Sequence, residues 1–439
     1  MAQRTPEARQ LRKIALGSLA GTTLEYYDFI LYGTTAGLIF GKLFFANFSG
    51  LVATMFAFAT YAIGFISRPL GGLVFSHFGD RTGRKTMLII TVTLTGGVTV
   101  LIGLLPTYET IGILAPALLV TLRFAQGMGI GGEWGGAMLI MVEHAPAKRR
   151  GFYGSLPQTG AALGFVLSTA AIWLTTTLSS ESAFLGWAWR LPFLFSAVML
   201  AISLFIRFRV PESPLFSEVK RRQRRLKLPI AHLLRRHPKE FALTFAMYLS
   251  ITPVSIVTVF LLFYIDRTLD VPRASVLLGI VCAHFLFIFL TIFGGVLSDK
   301  IGRGRVHIAG SVLMAVFAFP LFWLVDTGIM ALIWIAIFIF AGGLWLQWGG
   351  MPAFYSELFP TEVRYTGLSI SSQLSTALVN GTSPVVATAM LGATGGTWAI
   401  STYVIILCLA SGAAAYLANS RRLHMQQVDQ VVDQAQTAS

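Results

Sequence analysis

Long apolar runs separated by short polar stretches make up almost the whole chain. Twelve of these runs reach the length of about 20 residues that an α-helix needs to cross the hydrocarbon core of a bilayer. They lie at residues 15–42, 50–77, 86–105, 112–142, 151–178, 188–209, 240–265, 274–298, 306–325, 328–350, 366–391 and 397–419. The pattern predicts an all-α membrane protein with 12 transmembrane helices.

One long polar segment, residues 210–239, lies between the sixth and seventh runs. It divides the chain into a predicted N-terminal six-helix bundle at 1–209 and a C-terminal six-helix bundle at 240–419, followed by a tail at 420–439. Its basic run, Lys220–Arg225, is typical of a cytoplasmic loop beside anionic lipid headgroups, although such a run could also bind a partner. The tail lacks the repeated heptads that a coiled coil needs.

Short motifs recur in the two predicted halves at nearly the same offset. Gly79-Asp-Arg-Thr-Gly-Arg-Lys85 follows the second run, and Ser298-Asp-Lys-Ile-Gly-Arg303 follows the eighth. Glu133-Trp-Gly-Gly136 aligns with Gln347-Trp-Gly-Gly350. Because six helices is an even number, both halves insert in the same orientation and form parallel repeats. Two such bundles are suited to alternating access, with a substrate site at their interface.

Positive charge is concentrated on one side of the predicted membrane. The net charge is +14, and all but six of the 33 Lys and Arg residues fall on the side of the termini and the 210–239 loop. This asymmetry follows the positive-inside rule, so we expect both termini and the loop to be cytoplasmic. The lipid bilayer therefore accounts for the charge, and a nucleic-acid partner is not expected.

The composition argues against an enzyme. The chain is 55% hydrophobic and 12% charged, which is typical of a polytopic membrane protein. Cys282 and Cys408 both lie in apolar runs, so neither a disulfide framework nor a cysteine metal site is expected. The first run carries Glu25 and Asp28, which a cleavable signal peptide would lack. We find no metal-ligand cluster, nucleophile–base motif or phosphate-binding loop, and we expect no metal and no cofactor.

In the first half, three carboxylates and two arginines are predicted to be buried within the membrane. They are Glu25, Asp28, Arg68, Arg123 and Glu133. A charge at the bilayer centre costs about 3 kcal/mol on insertion scales, so such residues face the protein interior or a cavity. Since three acids face two arginines, one acid is expected to alternate between its protonated and ionised forms. The proton is therefore the predicted coupling ion.

Helical spacing places these charges on defined faces. Arg123, Gln126 and Glu133 share one face of the fourth helix, beside a stripe of small residues at Gly127, Gly131 and Gly135 that favours close helix packing. An alternative is that Arg123 and Glu133 only fix helix positions. On the first helix, Glu25, Asp28 and Tyr32 share a face. We predict Asp28 as the coupling carboxylate, with Glu133 as the alternative, Arg123 as its main partner and Glu25 as a structural partner of Arg68.

Substrate contacts are predicted on both sides of the interface between the halves. The second half carries Gln347 where the first has Glu133, so we expect it to supply neutral contacts. His284 is interpreted as a packing residue. The predicted substrate-binding residues are Tyr32, Arg68, Arg123, Gln126, Gln158, Tyr248, Gln347 and Gln373.

The two loop motifs are predicted to gate the cytoplasmic mouth, because acid, base and glycine recur at fixed positions in both halves. The alternative is that they serve only to retain positive charge in the cytoplasm. The predicted gating residues are Asp80, Arg81, Arg84, Lys85, Asp299, Lys300 and Arg303.

These motifs resemble the major facilitator superfamily. Asp80-Arg-x-Gly-Arg-Lys85 is similar to its signature after helix 2, although Ser76 stands where a glycine is usual. Arg123-x-x-Gln-Gly-x-Gly129 and Pro211-Glu-Ser-Pro214 are similar to its motifs in helix 4 and after helix 6. Leu24-Glu-Tyr-Tyr-Asp-Phe29 and Gly131-Gly-Glu-Trp-Gly-Gly136 look like the metabolite:proton symporter family.

The resemblance implies a carrier of small organic acids such as 2-oxoglutarate, citrate or shikimate, or of zwitterions such as proline and betaine. Related sugar–proton symporters use an acid in helix 1 with the arginine of helix 4, which agrees with the choice of Asp28. We therefore expect a proton-coupled symporter of a small carboxylated metabolite in the cell membrane, the inner membrane if the source is bacterial. The alternatives are a compatible-solute symporter and a drug or metabolite exporter. We expect a monomer.

Overall fold

The computed structural model describes residues 6–82, 84–131, 141–142, 145–209, 229–251, 253–269, 271–360 and 363–437. Side chains are described between residues 15 and 420 of these ranges, except at 76–88, 147, 207, 209, 229–231, 253 and 365. The predicted linker at 210–239 lies largely outside this part, which resumes with the short helix Pro229–Arg236. The assignment of that linker therefore stays a prediction.

Helices account for nearly all of the described chain, as the long apolar runs predict. In chain order, α1 to α12 are Pro6–Thr35, Gly50–Thr82, Arg84–Leu104, Leu114–Gly131, Arg150–Leu178, Arg190–Arg209, Pro238–Met247, Arg273–Ile301, Arg303–Val325, Met330–Ser356, Arg364–Ser375 and Trp398–Thr437. They correspond one to one with the twelve predicted segments, so the all-α fold class is confirmed.

Length and composition alone pick out fewer spans than twelve. Among the described residues, nine helices are long and apolar enough to cross a membrane, and Glu181–Ala188 joined to α6 at a 46° bend makes a tenth. In α3 the side chains are described from Ile89 on, and Ile89–Leu104 is an apolar helix. The remaining helix, α1, carries Glu25 and Asp28 within its apolar run.

Three helices change their hydrogen-bonding pattern partway along. The first, α1, continues as the π-helix Ala36–Phe40, and α11 continues as the π-helix Thr376–Asn380. After α7 the chain passes through the 3₁₀ turn Tyr248–Ile251 and the π-helix Ile256–Phe260. Short π segments are frequent at functional sites. The interruptions that follow α1 and α7 meet directly, since a Cβ added at Gly37 would lie 3.2 Å from the carbonyl oxygen of Val259.

The twelve helices form two six-helix bundles that meet along a shared interface. In the first bundle α1 packs on α5, α2 on α4, and α3 on α6; in the second, α10 packs on α8 and α9, and α12 on α7 and α9. Between the bundles, α5 contacts α8 and α10, and α2 contacts the extension of α11. Because twelve helices return the chain to the side where it started, the start of α1 and the end of α12 belong to one face, here called the termini face.

Glycines form the closest contact inside the first bundle. A Cβ on Gly127 would lie 2.0 Å from the carbonyl oxygen of Gly64, and a Cβ on Gly131 would lie 1.9 Å from that of Arg68. On α2, a Cβ on Gly71 would lie 1.9 Å from the carbonyl oxygen of Met128. The predicted small-residue stripe of α4 therefore packs backbone to backbone on α2. Gly135 lies outside the described residues.

Gly71→Ala should destabilise the protein, whereas Gly97→Ala should not. The new methyl group at residue 71 meets a backbone carbonyl, which no rotamer change relieves, so overpacking should cost about 1–3 kcal/mol or more. At Gly97 an added Cβ meets nothing within 4 Å, and alanine is the better helix former by about 1 kcal/mol. Thermal unfolding of both variants in the same detergent measures the difference. Equal melting temperatures of the two variants would contradict the close backbone packing of α2 on α4.

Candidate functional site

A cluster of buried charges and aromatic rings joins α1, α2 and α4. Arg68 Nη1 lies 3.8 Å from Glu25 Oε1, and both residues are buried. The Phe29 ring lies between two guanidinium groups, with Arg68 Cζ 4.1 Å and Arg123 Cζ 4.0 Å from its centroid. Such contacts stabilise a cation by about 2 kcal/mol when desolvated. The pairing of Arg68 with Glu25 is the one that the sequence analysis expected.

Arg123 is fully buried against aromatic rings. Its Cζ lies 4.1 Å from the centroid of Tyr32 and 5.3 Å from that of Tyr61. The guanidinium rests on the backbone of Gly64, where an added Cβ would lie 2.4 Å from Nε. Arg123 Nη1 donates to Gln126 Oε1. Its Nε and Nη2 atoms find no acceptor among the described residues, which is unusual for a buried cation.

Asp28 is buried beside this cluster but faces a different way. Its Oδ1 accepts a hydrogen bond of 2.7 Å from Ser196 Oγ of α6. The direct ion pair that we expected between Asp28 and Arg123 is not among those formed by the described residues. The reason is local: Asp28 turns toward α3 and α6, while Arg123 extends along α2 and over the rings of α1. The alternative coupling acid, Glu133, lies outside the described residues.

An aromatic cluster occupies the interface between the bundles. Tyr26 of α1 lies 5.9 Å from Phe165 of α5 and 6.1 Å from Trp348 of α10, centroid to centroid. The imidazole of His284 on α8 stacks on Phe165 at 4.4 Å, and Trp345 of α10 lies edge-on to both. Rings from four helices and both bundles thus meet at one place.

Several polar groups near this interface lack partners in the described part of the chain. His284 Nδ1 lies 2.8 Å from the Ile280 carbonyl oxygen, so its Nε2 is left as a buried acceptor. Neither amide atom of Gln158 is bonded, nor are the indole nitrogens of Trp345 and Trp348. Gln158 shares a helical face with Phe165, which contacts the other bundle. Unsatisfied buried groups of this kind indicate where a polar ligand could bind.

The other predicted contact residues divide between this interface and the bundle interiors. Tyr32 is used internally, because its hydroxyl lies 2.5 Å from Thr60 Oγ1. Gln347 Oε1 accepts from Ser250 at 3.2 Å and Ser311 at 3.4 Å, inside the second bundle. The Tyr248 ring packs edge-on to Tyr355 at 4.9 Å. Gln373 is buried, and its Oε1 finds no donor among the described residues.

At the termini face, Asp299 connects the two bundles. Its Oδ1 accepts from the backbone N–H of Gly151 at 2.8 Å, and its Oδ2 accepts from that of Phe152 at 3.0 Å. These donors begin α5, so the carboxylate caps a helix N-terminus across the interface. Arg303 holds Asp299 from its own side, with Nη2 to Oδ1 at 3.4 Å, and also pairs with Glu357.

Among the remaining predicted gating residues, the structure describes the side chain of Lys300 alone. Lys300 is exposed. Asp80 and Arg81 end α2, and Arg84 and Lys85 begin α3, but their side chains lie outside the described part.

Asp299→Asn should slow transport by about tenfold, which corresponds to roughly 1.4 kcal/mol, while substrate affinity changes little. An amide cannot accept both N–H bonds with the same strength, so the closed contact between α5 and α8 is weakened. Counterflow rate and detergent binding affinity, measured on one preparation, separate the two effects. Asp266→Asn is a matched control, because Asp266 pairs with Arg273 at 2.7 Å within the second bundle. Loss of binding with a normal exchange rate would contradict the gating role.

Several residues of the site had no role assigned from the sequence. Tyr26 and Phe29 entered only as letters of the Leu24–Phe29 motif, Phe165 only as an apolar position, and Ser196 as a small residue within an apolar helix. The spacing of a helix shows which residues share a face but not which neighbouring helix that face meets. The one feature of the sequence that could have pointed to such residues is the presence of hydroxyl groups in otherwise apolar runs.

Comparison with known proteins gives the family. The family model of the Major Facilitator Superfamily matches residues 19–384. The chain belongs to the major facilitator superfamily. It is therefore a multi-pass membrane transporter of small molecules and not an enzyme.

Curated relatives cover nearly the whole chain. The shikimate transporter of Escherichia coli (strain K12) is 39% identical over 415 residues, 92% of this chain and 94% of the relative. The inner membrane metabolite transport protein YhjE of the same organism is 38% identical over 93% of this chain and 94% of its own length. The Escherichia coli proline/betaine transporter is 33% identical over 86% of this chain and 77% of its length.

A solved structure shows the same fold. The partially occluded inward-open form of the xylose transporter XylE from Escherichia coli superimposes with a TM-score of 0.71, covering 95% of this chain and 98% of that one. Its sequence identity is 19%, so the similarity supports the fold alone.

Proposed function

We propose that this transporter is a proton-coupled symporter that takes up a small carboxylated metabolite by alternating access. The observation that carries the proposal is Arg123, a buried guanidinium whose Nε and Nη2 atoms have no acceptor among the described residues. A guanidinium presents paired donors that match a carboxylate in two places. The 39% identity to a shikimate transporter supports the same substrate class.

Proton coupling follows from the position of Asp28 in this scheme. When Asp28 is protonated, it stays on Ser196 and leaves Arg123 available for the substrate carboxylate. When the proton leaves toward the cytoplasm, the ionised carboxylate attracts Arg123 and the substrate is released. Proton and substrate therefore bind and leave together, with the proton as the coupling ion and no organic cofactor.

The neutral end of the substrate contacts the second bundle in this proposal. His284 Nε2, the Gln158 amide and the indole nitrogens of Trp345 and Trp348 supply unused hydrogen-bonding groups. Closure of α5 on α8 at Asp299 would seal the site from the termini face, and separation of that contact would open it. The protein works as a monomer in the inner membrane, with lipid as its surroundings and no nucleic-acid partner.

We expect both termini and the 210–239 loop to be cytoplasmic, because of the Lys and Arg asymmetry. In a variant with Cys282→Ser and Cys408→Ser, single cysteines can be introduced as Ser217→Cys in the loop and Ser180→Cys at the opposite face. A membrane-impermeant maleimide applied to intact cells should label Ser180→Cys and not Ser217→Cys. The reverse pattern would overturn the orientation and with it the direction assigned to the gate.

A compatible-solute symporter is the second candidate. The aromatic cluster of Tyr26, Phe165, Trp345 and Trp348 favours it, because aromatic faces attract ammonium groups. The 33% identity to a proline/betaine transporter agrees with this reading. An exporter remains the third alternative from the sequence.

Uptake by proteoliposomes separates the candidates. Purified protein is reconstituted and given a proton gradient, acid outside, with labelled shikimate, 2-oxoglutarate, citrate, proline or glycine betaine. The proposal expects uphill accumulation of one of the three carboxylic acids that is lost when the gradient is collapsed. Accumulation of proline or betaine alone would favour the second candidate. Gradient-independent equilibration of every compound would contradict proton-coupled uptake.

A further inference from the structure

A chain of hydrogen bonds runs from Arg123 through Gln126 to Thr99, which is a neighbour of Asp28. Arg123 Nη1 donates to Gln126 Oε1, and Gln126 Nε2 donates to Thr99 Oγ1 at 2.6 Å. The Thr99 hydroxyl lies beside the Asp28 carboxylate. Gln126, expected as a substrate contact, therefore uses both ends of its amide inside the first bundle.

The direction of these bonds is fixed by chemistry. A guanidinium only donates, so Gln126 must present its oxygen to Arg123 and its NH₂ group to Thr99. Thr99 then has one hydrogen left to donate. In this structure that hydrogen goes to the Thr95 carbonyl oxygen at 3.0 Å, and Asp28 Oδ2 accepts no bond among the described residues.

We propose that Gln126 and Thr99 are positioning residues that link the protonation state of Asp28 to the orientation of Arg123. When Asp28 ionises, the Thr99 hydroxyl turns from the Thr95 carbonyl to the carboxylate. The donor chain then runs without a break from Arg123 to Asp28, and each bond polarises the next. When Asp28 is protonated, Thr99 returns to its own helix and Arg123 is released toward the substrate. No proton travels along the chain; only one hydroxyl hydrogen changes its acceptor.

The described side chains around Asp28 provide no other hydrogen-bonded route from it to Arg123. Ser196 holds the other carboxylate oxygen from α6. Arg68 is paired with Glu25 at 3.8 Å. Since the expected direct pair between Asp28 and Arg123 is not among those formed by the described residues, Gln126 and Thr99 are the residues that lie between the two groups.

This inference rests on the proposed function, and its test is designed to separate the two. Thr99→Val removes the hydroxyl with little change of shape. Thr95→Val is the matched control, one turn earlier on α3, because the one hydrogen bond of its hydroxyl among the described residues stays in its own helix, to the Thr91 carbonyl oxygen at 2.9 Å. Gln126→Met breaks the same chain from the other side, and Thr99→Ser restores the hydroxyl.

Uphill uptake and counterflow are measured for each variant with the carboxylic acid, among shikimate, 2-oxoglutarate and citrate, that the wild type accumulates most. We expect Thr99→Val and Gln126→Met to lose about tenfold in uphill accumulation, as for one hydrogen bond to a charged group, while counterflow is retained. Thr95→Val should keep both activities, and Thr99→Ser should recover the coupling. Retained accumulation in Thr99→Val, or equal loss of both activities, would overturn the link and leave a structural role.

If the wild type accumulates none of these acids, the proposed function is rejected, but the link between Asp28 and Arg123 is still testable. A measurement without substrate tests that link. Infrared difference spectra between acidic and alkaline buffer show the carboxylate stretch of an acid that ionises, and Asp28→Asn identifies the band of Asp28. We expect Thr99→Val to displace that carboxylate band, because it removes a hydrogen bond to the ionised form, and Thr95→Val to leave it in place. An unchanged carboxylate band in Thr99→Val would reject the link, whatever the transport assay shows.

Discussion

Asp28→Asn should abolish uphill, proton-driven uptake while keeping substrate counterflow. The amide mimics the protonated carboxyl group, so the variant is held in the state that binds substrate and cannot return Arg123 to an ionised partner. The hydrogen bond from Ser196 survives the change because an amide oxygen still accepts. We expect the accumulation ratio to fall to equilibrium and the exchange rate to stay within about a few fold of the wild type.

The comparison that tests this assignment is Glu133→Gln. If Asp28→Asn still concentrates substrate against its gradient and Glu133→Gln does not, the coupling acid is Glu133. Glu25→Gln is expected to behave differently from both, because it leaves Arg68 buried without its carboxylate. Removing one partner of a buried pair costs about 3–5 kcal/mol, so this variant should lose thermal stability along with activity.

Arg123→Ala should be inactive, and Arg123→Lys should lose on the order of 100-fold in uptake, as for one or two charge-assisted hydrogen bonds. Lysine keeps the charge but not the planar fork that grips a carboxylate or the stacking on Phe29 and Tyr32. Initial uptake rates over a range of substrate concentrations measure the loss. Full activity in Arg123→Ala would leave only a packing role for this face of α4.

Arg190→Lys is the matched control for this substitution. Arg190 also stacks on an aromatic ring, with Cζ 4.4 Å from the centroid of Trp189, and donates to the Leu105 carbonyl oxygen at 2.9 Å. It belongs to the start of α6, away from the charged cluster. We expect its replacement to leave substrate affinity unchanged. An equal loss in both lysine variants would mean that the effect of Arg123→Lys reflects stacking in general.

The helical framework could be predicted from the sequence because a bilayer admits few alternatives. Apolar length defines a span, and an even number of helices in each half defines parallel repeats. The glycine stripe of α4 was also predictable, since small residues at helical spacing are useful mainly for close packing. The interruptions of α1, α7 and α11 were not, because π and 3₁₀ segments depend on contacts with the other bundle.

The site could be predicted only in part, because the sequence does not show how each helix is rotated about its axis relative to its neighbours. Helical spacing placed Asp28 with Glu25 and Tyr32, and the charge count together with the resemblance to sugar–proton symporters paired it with Arg123. The actual neighbour of Asp28 is Ser196 of α6, and Arg123 turns instead to Phe29 and Gln126. Distances along the membrane normal follow from residue number, but the partner of a side chain depends on how each helix is rotated against its neighbours.

The measurement that tests the proton-coupled uptake of a carboxylate most directly is the simultaneous flux of proton and substrate. Proteoliposomes hold a pH-sensitive dye, have no imposed gradient, and are clamped at zero membrane potential. Addition of labelled shikimate, 2-oxoglutarate or citrate outside should acidify the lumen as label enters, and Asp28→Asn should admit label without acidification. Entry of label into wild-type vesicles with no change of internal pH would contradict proton coupling in this protein.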